Sequence, residues 1–330
     1  MGRALMARRP GRPSTPRLTA RICVPAFAKI NLGLEVLGVR EDGYHELRTL
    51  FQTIDLKDEI TLRARPRGLR LVCRQAGVPV GSENLVWRAA EELQHRGRVR
   101  KGVEIRLDKR IPVAGGLGGG SSDAAAVLLG LDRLWGLGLG PEGLLPLARG
   151  LGADVPYFLF GGTALGLARG DEIYPLLAQV RAHVVVVDPR RPLATAAVFA
   201  RLDARLTPRQ NGYTIQRFVA SSLRGEVSFR GLTNDLETAA LEEAPDLEPR
   251  IGRVRAVLER EGAVLASLTG SGSAFFGLFE RRGNAARAQR ALASEGFTAH
   301  LARTLTAQQY RRAWVESLGE RGRSAGRTRW

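Results

Sequence analysis

The chain has 330 residues, 44% of them hydrophobic, and carries a formal net charge of +17 at pH 7. This length favours two domains or one large one, and the lack of any run of about eighteen apolar residues excludes a membrane-spanning helix. Two cysteines and four scattered histidines provide neither a disulfide framework nor a zinc-binding spacing, so we expect a protein of the reducing cytoplasm.

Much of the positive charge lies at the two ends of the chain. Residues 1–21 carry six arginines and no acidic residue, and residues 319–330 carry four arginines and one glutamate. We predict disordered, solvated tails over 1–18 and 316–330, with weak contact to a polyanion as the alternative. The N-terminal stretch is also compatible with a transit peptide or a start codon placed too early. Charge concentrated in tails weakens the alternative of a nucleic-acid-binding core.

The first half of the chain is predicted to contain both strands and helices. An alternating pattern predicts a half-buried strand over 22–39, with Ile30, Leu32, Leu34 and Val36 on its apolar face and Lys29, Asn31, Gly33 and Glu35 on its polar face. A turn over 40–45 centred on Asp-Gly follows. The further predictions are strands over 47–62, 69–73, 103–107 and 162–168, helices over 83–94 (capped by Ser82), 121–135 and 141–150, and a turn over 169–172.

The second half begins with a valine run. We place a domain boundary near residue 175, ahead of a strand over 183–187 that is apolar enough to be buried on both faces. The remaining predictions are helices at about 195–205, 235–242, 246–261 and 284–295, and strands over 264–268 and 274–279.

The most distinctive stretch is a glycine loop over residues 111–123, in which five of the six residues from Gly115 to Gly120 are glycine. It lies between a predicted strand and a predicted helix, where free N–H groups and the helix dipole favour a phosphate. It matches neither G-x-x-x-x-G-K-[ST] nor G-x-G-x-x-G. Ser121 stands where the first pattern needs lysine and where the second needs glycine. Ser121 and Ser122 are candidates to cap the helix or to hold a phosphate oxygen or Mg²⁺. The plain alternative is a flexible connection, which five glycines make costly to order.

Two charged residues outside the loop are candidates for the chemistry. Asp154 lies among turn-forming residues, so a turn former or helix cap is its alternative interpretation. Lys29 is one of four lysines among fifty basic residues, and alone it is compatible with a solvated charge at a strand edge. Phosphoryl transfer needs a nucleotide cradle, a carboxylate near the attacking hydroxyl and a cation to hold it. The loop, Asp154 and Lys29 together supply these parts.

Several motifs together resemble one kinase family. Residues 28–34, 42–47, 112–126, 152–156 and 269–272 are similar to motifs of the 4-diphosphocytidyl-2-C-methyl-D-erythritol kinases, within the GHMP kinase superfamily. The resemblance covers about residues 20–310. It implies a two-domain α+β fold, with a half like ribosomal protein S5 domain 2 over 19–175 and a ferredoxin-like α/β plait over 176–315.

The resemblance also implies an activity: ATP-dependent phosphorylation of the 2-hydroxyl of 4-diphosphocytidyl-2-C-methyl-D-erythritol, in non-mevalonate isoprenoid synthesis. Asp154 matches the family's base, and Lys29 matches the residue that holds this Asp and the hydroxyl. The implied ATP-binding residues are Pro112, Val113, Ala114, Gly115, Gly116, Leu117, Gly118, Gly119, Gly120, Ser121, Ser122, Asn84 and Lys109. The implied substrate-binding residues are Asn31, Tyr44, His45, Thr195, Phe199, Thr269, Gly270, Ser271 and Gly272.

Some features of the implied site depart from the family or stay open. Asp123 stands where some members carry Asn, and no carboxylate is assigned as a ligand of the Mg²⁺ that accompanies ATP. Stacking between the Tyr44-His45 pair and Phe199 suits a flat cytosine ring. This pair argues against another GHMP kinase, such as one acting on homoserine or mevalonate. We expect a small-molecule substrate, no membrane partner, no specific nucleic-acid binding, and a monomer or homodimer.

Overall fold

The structure, a computed structural model, describes residues 21–203 and 214–318. The strands are β1 Arg21–Val39, β2 His45–Arg65, β3 Leu69–Cys73, β4 Gly102–Asp108, β5 Thr163–Leu167, β6 Glu172–Pro175, β7 His183–Asp188, β8 Leu265–Leu268, β9 Phe275–Phe279 and β10 Thr298–Arg303. The α-helices are α1 Leu85–Arg96, α2 Gly119–Trp135, α3 Gly140–Leu151, α4 Thr195–Asp203, α5 Thr214–Ser222, α6 Leu236–Glu243, α7 Glu248–Arg260, α8 Arg282–Ser294 and α9 Ala307–Ser317.

The first sheet is built on a long antiparallel hairpin of β1 and β2. Its order is β3-β4-β2-β5-β6, with β1 paired to β2, and β3 runs parallel to β4. Helix α2 packs on β1, β2 and α1, and most of its side chains are buried. A helix that is apolar nearly all round needs neighbours on every side, so α2 forms the centre of this half.

The second sheet has the antiparallel order β10-β7-β9-β8. The four valines 184–187 of β7 are fully buried, as the valine run predicts. Val185 and Val187 pack in the core under helices α6, α7 and α8, while Val184 and Val186 pack with residues of β1 and β2. The second sheet therefore lies between its own helices and the first half of the chain.

A β-bulge in β1 changes the predicted arrangement of its side chains. The register with β2 shifts between Asn31 and Gly33, and one extra residue reverses the alternation beyond it. Leu32 packs in the core between the sheets, whereas Leu34 packs in the core of the second sheet and its helices. The two predicted faces are therefore wrong beyond Asn31. The predicted polar face is also buried, and Glu35 is fully enclosed.

The start of α1 differs from the prediction. Asn84, not Ser82, is the N-cap, and its Oδ1 accepts a hydrogen bond from Val86 N at 2.9 Å. Asn84 Nδ2 donates to Pro79 O at 2.7 Å. Asparagine caps helices as well as serine does. Asn84 directly precedes Leu85, the first helical residue of α1.

Four described elements fall outside the predicted set: β6, β10, α5 and α9. The last of these returns to the first half of the molecule, where Tyr310 and Trp314 are buried in the core around α2. The division near residue 175 stays a prediction. Residues 1–20 and 319–330, with most of the predicted basic tails, lie outside the described residues. Across the described ranges, no helix is both long and apolar enough to cross a membrane.

Candidate active site

A cavity of about 340 Å³ lies against the glycine loop. Its wall contains all of residues 112–121, together with Asn84, Lys109 and Asp123. Cavities of this size hold small ligands. The cavity thus brings together the predicted ATP-binding residues except Ser122, which is 1% exposed and whose Oγ has no hydrogen-bond partner.

The loop ends at the start of α2, a helix of 17 residues. Gly118 precedes the helix in the left-handed region, at φ +69°, and no side chain caps the first turn. The alternative that Ser121 or Ser122 caps the helix is therefore wrong. Uncapped N–H groups at a helix start favour an anion such as phosphate.

The glycines of the loop serve two different purposes. Gly116 has φ +75°, and a Cβ atom there would lie 2.1 Å from the carbonyl oxygen of Thr269. This glycine is required by packing inside the protein. At Gly120, in contrast, a Cβ atom would meet no heavy atom within 4 Å. Among the described residues, no packing contact requires glycine at position 120, so the space beside its Cα atom is open to a ligand.

A second glycine turn, residues 269–272, packs behind the first. Thr269 Oγ1 accepts a hydrogen bond from Asn31 N at 3.2 Å and lies 3.3 Å from Gly116 O. Asn234 Nδ2 donates to the carbonyls of Leu268 and Gly270, at 2.9 and 2.8 Å. No sequence pattern singles out Asn234, because its role depends on a turn 36 residues away. The two glycine turns hold each other in place.

Lys29 and Asp154 form an ion pair beside the loop, with 3.3 Å between Nζ and Oδ2. The Lys29 side chain is 3% exposed and that of Asp154 is 32% exposed. Lys29 N also donates to Leu117 O at 3.0 Å, which fixes β1 against the loop. The alternative of a solvated lysine is thus wrong. Asp154 does not cap the short 3₁₀ helix Pro156–Leu159, which has no side-chain cap.

Asn31 holds the lysine in position. Its Oδ1 accepts a hydrogen bond from Lys29 Nζ at 2.7 Å, and its Nδ2 donates to Thr49 Oγ1 at 2.8 Å. Thr49 Oγ1 in turn donates to Gly33 O at 2.9 Å. All of these side-chain groups are buried, so each lost partner would leave an unsatisfied polar atom. Thr49 is a further site residue that the sequence pattern does not reveal.

Two stacked aromatic rings lie beside the ammonium group of Lys29. Lys29 Nζ lies 5.5 Å from the centroid of the Phe51 ring. Phe51 stacks on Tyr157 with 4.7 Å between the ring centroids. A cation over an aromatic face is attracted to it. The ammonium group is therefore held by Asp154, Asn31 and Phe51 together.

A buried cluster of charges contributes Lys109 and Asp123 to the wall of the cavity. Lys109 Nζ hydrogen-bonds to both Asp58 and Asp123. Burial, reinforced by the nearby charge of Asp58, raises the pKa of Asp123 to about 8 although Lys109 opposes the shift. Burial lowers the pKa of Lys109, but the two carboxyl groups outweigh it and raise the pKa overall. The raised pKa of Asp123 favours its protonated form at neutral pH.

Two of the predicted base-binding residues, one from each half of the molecule, contact each other. The rings of His45 and Phe199 stack directly on each other, with centroids 4.4 Å apart and planes 27° apart. A base between them would need about 3.5 Å on each side, so the rings would have to separate. The Arg169 guanidinium carbon lies 5.0 Å from the centroid of the Tyr44 ring. Tyr44 is 57% exposed.

The first residue of α4 reaches the second glycine turn. Thr195 Oγ1 and Ser271 Oγ are hydrogen-bonded at 2.8 Å. This contact brings two predicted substrate-binding residues together and joins α4 to the turn that supports Asn31. Gly272 completes the turn at φ +83°.

The class of the protein follows from the fold, the site and two matches along the chain. A family model described as GHMP kinases N terminal domain matches residues 84–162, and one described as GHMP kinases C terminal matches residues 228–298. The glycine loop and Asp154 lie in the first match, and the second glycine turn lies in the second. The chain is a GHMP kinase with the two-domain α+β fold that its motifs predict.

Individual relatives identify one family within the GHMP kinases. The chain is 45% identical to 4-diphosphocytidyl-2-C-methyl-D-erythritol kinase of Geobacter metallireducens, over 78% of this chain and 89% of that protein. It is 38% identical to a crystal structure of 4-(cytidine 5'-diphospho)-2C-methyl-D-erythritol kinase, with a TM-score of 0.73 over 86% of this chain and 99% of the other. The chain belongs to the 4-diphosphocytidyl-2-C-methyl-D-erythritol kinases.

A more distant structure shares the fold alone. The crystal structure of homoserine kinase from Cytophaga hutchinsonii is 21% identical, with a TM-score of 0.70 over 92% of this chain and 99% of the other. Such a likeness carries no information about the acceptor, because one fold hosts many activities.

Proposed function

We propose that the chain transfers the γ-phosphoryl group of ATP to the 2-hydroxyl of 4-diphosphocytidyl-2-C-methyl-D-erythritol, giving ADP and the 2-phosphate in the non-mevalonate route to isopentenyl diphosphate. The observation that carries this proposal is the Lys29–Asp154 pair, 3.3 Å apart and in contact with the glycine loop. It places a partly exposed carboxylate and a buried cation where a phosphate donor and an acceptor hydroxyl would meet.

The nucleotide occupies the cavity beside the loop in this proposal. Its phosphates lie at the uncapped start of α2, where backbone N–H groups and the helix dipole favour negative charge. Asn84 and Lys109 contribute to the wall of the same cavity. Both side chains have partners within the protein, so they shape the nucleotide site more than they bind charge from it.

Asp154 acts as the general base in the transfer. It accepts the proton of the 2-hydroxyl while that oxygen forms a bond to the γ-phosphorus, and the bond to the oxygen bridging the β- and γ-phosphorus breaks to release ADP. Lys29 holds the carboxylate and the hydroxyl and offsets the negative charge that gathers at the reacting oxygens. Asn31, Thr49 and Phe51 keep the ammonium group in place.

Mg²⁺ accompanies the nucleotide in this proposal. Within the described ranges, no three His, Cys, Asp or Glu residues cluster as a metal site, and Mg²⁺ commonly keeps waters and is bound by one or two protein groups plus phosphates. Ser121, which lines the cavity at the start of α2, fits such a role. When bound, the ion would neutralise phosphate charge.

The acceptor is held at two places. Asn31 and the second glycine turn lie beside the reacting end. Tyr44, His45 and Phe199 supply aromatic rings for the cytosine, which would enter as the stacked rings of His45 and Phe199 separate. Homoserine and mevalonate have no ring to place against these side chains.

A substrate panel tests the proposal. Purified full-length protein with Mg²⁺ and ATP is assayed for ADP formation with the cytidyl acceptor, with homoserine and with mevalonate. We expect rapid ADP formation with the cytidyl acceptor only. Comparable rates with homoserine or mevalonate, or no turnover with the cytidyl compound, would contradict it.

A further inference from the structure

A second cavity, of about 320 Å³, lies on the first sheet and is lined almost entirely by charged side chains. Its wall is formed by residues of β1, β2 and β4, namely Arg21, Thr61, Arg63, Glu104, Arg106 and Asp108. Along β4 these residues alternate with Ile105 and Leu107, which are buried in the core around α2. The cavity therefore lies on the face of the sheet turned away from α2, and none of its residues lines the cavity beside the glycine loop.

Two of these arginines stand directly opposite each other. Arg21 of β1 pairs with Arg63 of β2 in the sheet register, so both side chains project from the same face. Like charges in this position destabilise a sheet. Both residues are exposed, and within the part of the chain that the structure describes, neither guanidinium group has an ion pair or a hydrogen bond. The two facing charges therefore remain available to an anion.

The two acidic residues of the wall are already paired with arginines. Glu104 Oε2 lies 3.3 Å from Arg70 Nη1, and Asp108 Oδ2 lies 3.4 Å from Arg106 Nε. With these two ion pairs balanced, the excess positive charge of the cavity is that of the facing arginines. The hydroxyl group of Thr61 adds a further hydrogen-bond donor to the wall.

The chemistry of the wall favours a small ligand with phosphate groups. Residues 1–20, which directly precede Arg21, carry five arginines and no acidic residue, so they cannot supply the anion. Single-stranded nucleic acids bind on aromatic side chains, and none of the residues that line this cavity is aromatic. A guanidinium group matches the oxygens of a phosphate in two parallel hydrogen bonds. The volume of the cavity lies at the lower end of the range for small-molecule sites, about 300–1,000 Å³.

We propose that this cavity is a second anion site, which binds the diphosphate group of a small ligand between Arg21 and Arg63. One phosphate then faces each guanidinium group, so attraction to the ligand replaces the repulsion between the two arginines. The wall contains no hydrophobic side chain that could hold the rest of a ligand. The diphosphate group itself, free or esterified, is therefore what the site recognises.

Calorimetry tests the proposal with inorganic diphosphate and its methyl ester as probes. Full-length protein is titrated without Mg²⁺ and with a saturating non-hydrolysable ATP analogue, which occupies the nucleotide cavity. We expect Arg21→Gln and Arg63→Gln each to raise Kd about tenfold or more, because each removes a charged hydrogen-bond donor. Glu104→Gln should lower Kd, because it removes a negative charge from the wall. Such binding of either probe supports the site, and the tighter probe tells free diphosphate from an organic ester.

Arg260→Gln is the matched control, because it removes one positive charge from α7, in the other half of the molecule, where Arg260 is 61% exposed. It should keep the wild-type Kd. No binding by the wild type, an unchanged Kd in both Arg21→Gln and Arg63→Gln, or equal weakening in Arg260→Gln would overturn the proposal, as would equal affinity for citrate.

Thermal unfolding gives an independent reading of the same site. Diphosphate should raise the Tm of the wild type, because it binds only the folded state, and should leave the Tm of Arg63→Gln unchanged. Without diphosphate, Arg63→Gln should unfold at or above the wild-type Tm, because the repulsion between facing arginines is gone. An equal rise in Tm on adding diphosphate to both proteins would count against the site.

Discussion

At the scale of single residues, the site depends on how closely Lys29 is surrounded. Its ammonium group contacts Asp154, Asn31 and Phe51, and it is almost inaccessible to solvent. A buried cation is costly unless it is paired and hydrogen-bonded. In the proposed mechanism, this buried ammonium group is the fixed positive charge that phosphoryl transfer needs.

Removal of the base or of its partner should abolish most of the activity. We expect Asp154→Asn to lower kcat about 10²–10⁴-fold, because an amide cannot accept the hydroxyl proton. Lys29→Ala should lower kcat by about 10²-fold or more. Steady-state kinetics with the cytidyl acceptor gives both values.

Lys57→Ala serves as the control for loss of a lysine. Lys57 also lies on the β1–β2 hairpin, but it is 39% exposed and pairs with Phe27, whereas Lys29 pairs with Thr53. It should keep wild-type kcat. Wild-type kcat in Asp154→Asn, with an unchanged circular dichroism spectrum, would rule out Asp154 as the base.

Asp123 links stability to pH. Burial raises the pKa of Asp123 to about 8 in the folded protein, while an unfolded chain releases this proton near pH 4. The folded state therefore binds more protons between about pH 4 and pH 8. This contribution to stability is complete below about pH 4 and is lost as pH rises towards 8, by up to about 1.4 kcal/mol per pH unit.

Asp123→Asn should remove that dependence. Urea unfolding at pH 5, 7 and 9 is expected to show the variant gaining stability relative to the wild type as pH rises, levelling off above about pH 8. The control is Asp108→Asn, an aspartate that is 46% exposed on β4. Parallel pH profiles for the wild type and Asp123→Asn would contradict a protonated Asp123.

The residues of the candidate site differ in whether the sequence alone could predict them. Lys29 and Asp154 are predictable because phosphoryl transfer needs their charges and a family motif surrounds each. Thr49 and Asn234 are not, because a buried threonine or asparagine acquires its role from partners that only the fold brings near. The sequence also does not distinguish the two serines at the start of α2, of which Ser121 lines the cavity and the adjacent Ser122 does not.

At the scale of elements, the two glycine turns act as one unit. Gly115 O accepts a hydrogen bond from Ala274 N at 3.1 Å, and Gly116 packs against Thr269. Part of the glycine content of the loop is therefore explained by packing between turns. Gly120 at the start of α2 is the position that packing leaves unexplained.

Substitution of Gly120 separates stability from nucleotide binding. Gly120→Ala should stabilise the fold by about 0.5–1 kcal/mol, because alanine is the better helix residue and meets no neighbour. It should raise KM for ATP about tenfold, because the methyl group takes space beside the phosphates. Thermal unfolding and steady-state kinetics measure the two effects.

Gly150→Ala is the matched control in helix α3, where a Cβ atom also meets nothing within 4 Å. It should gain similar stability with unchanged KM for ATP. If KM for ATP is the same in both variants, the phosphates do not approach Gly120.

Helices and strands were predicted correctly where the side-chain pattern lies within the element itself. The buried strand predicted from the valine run is confirmed as β7, and the helix predicted over 121–135 is confirmed as α2, because each pattern lies within the element itself. The β1 faces are wrong because a bulge depends on the partner strand. The edge strand β10 and the late helix α9 were not predicted, since their short segments acquire structure by packing on distant parts of the chain.

At the scale of the whole molecule, the site is formed where the two halves meet. Lys29, Asn31 and Asp154 come from the half with the first sheet, and the second glycine turn and α4 come from the half with the second. Hydrogen bonds from Asn31 to Thr269 and from His45 to Asp203 cross between them. In the proposed mechanism, both halves therefore contribute residues to one site for the nucleotide and the second substrate.

Product analysis by ³¹P NMR tests the central claim most directly. The full-length protein is incubated with Mg²⁺, ATP and the cytidyl acceptor until ATP is consumed. The account predicts one new phosphomonoester resonance, assigned to the 2-position by its coupling pattern, in equal amount to the ADP formed. A phosphate at another hydroxyl, or ADP formed without a phosphorylated acceptor, would contradict it.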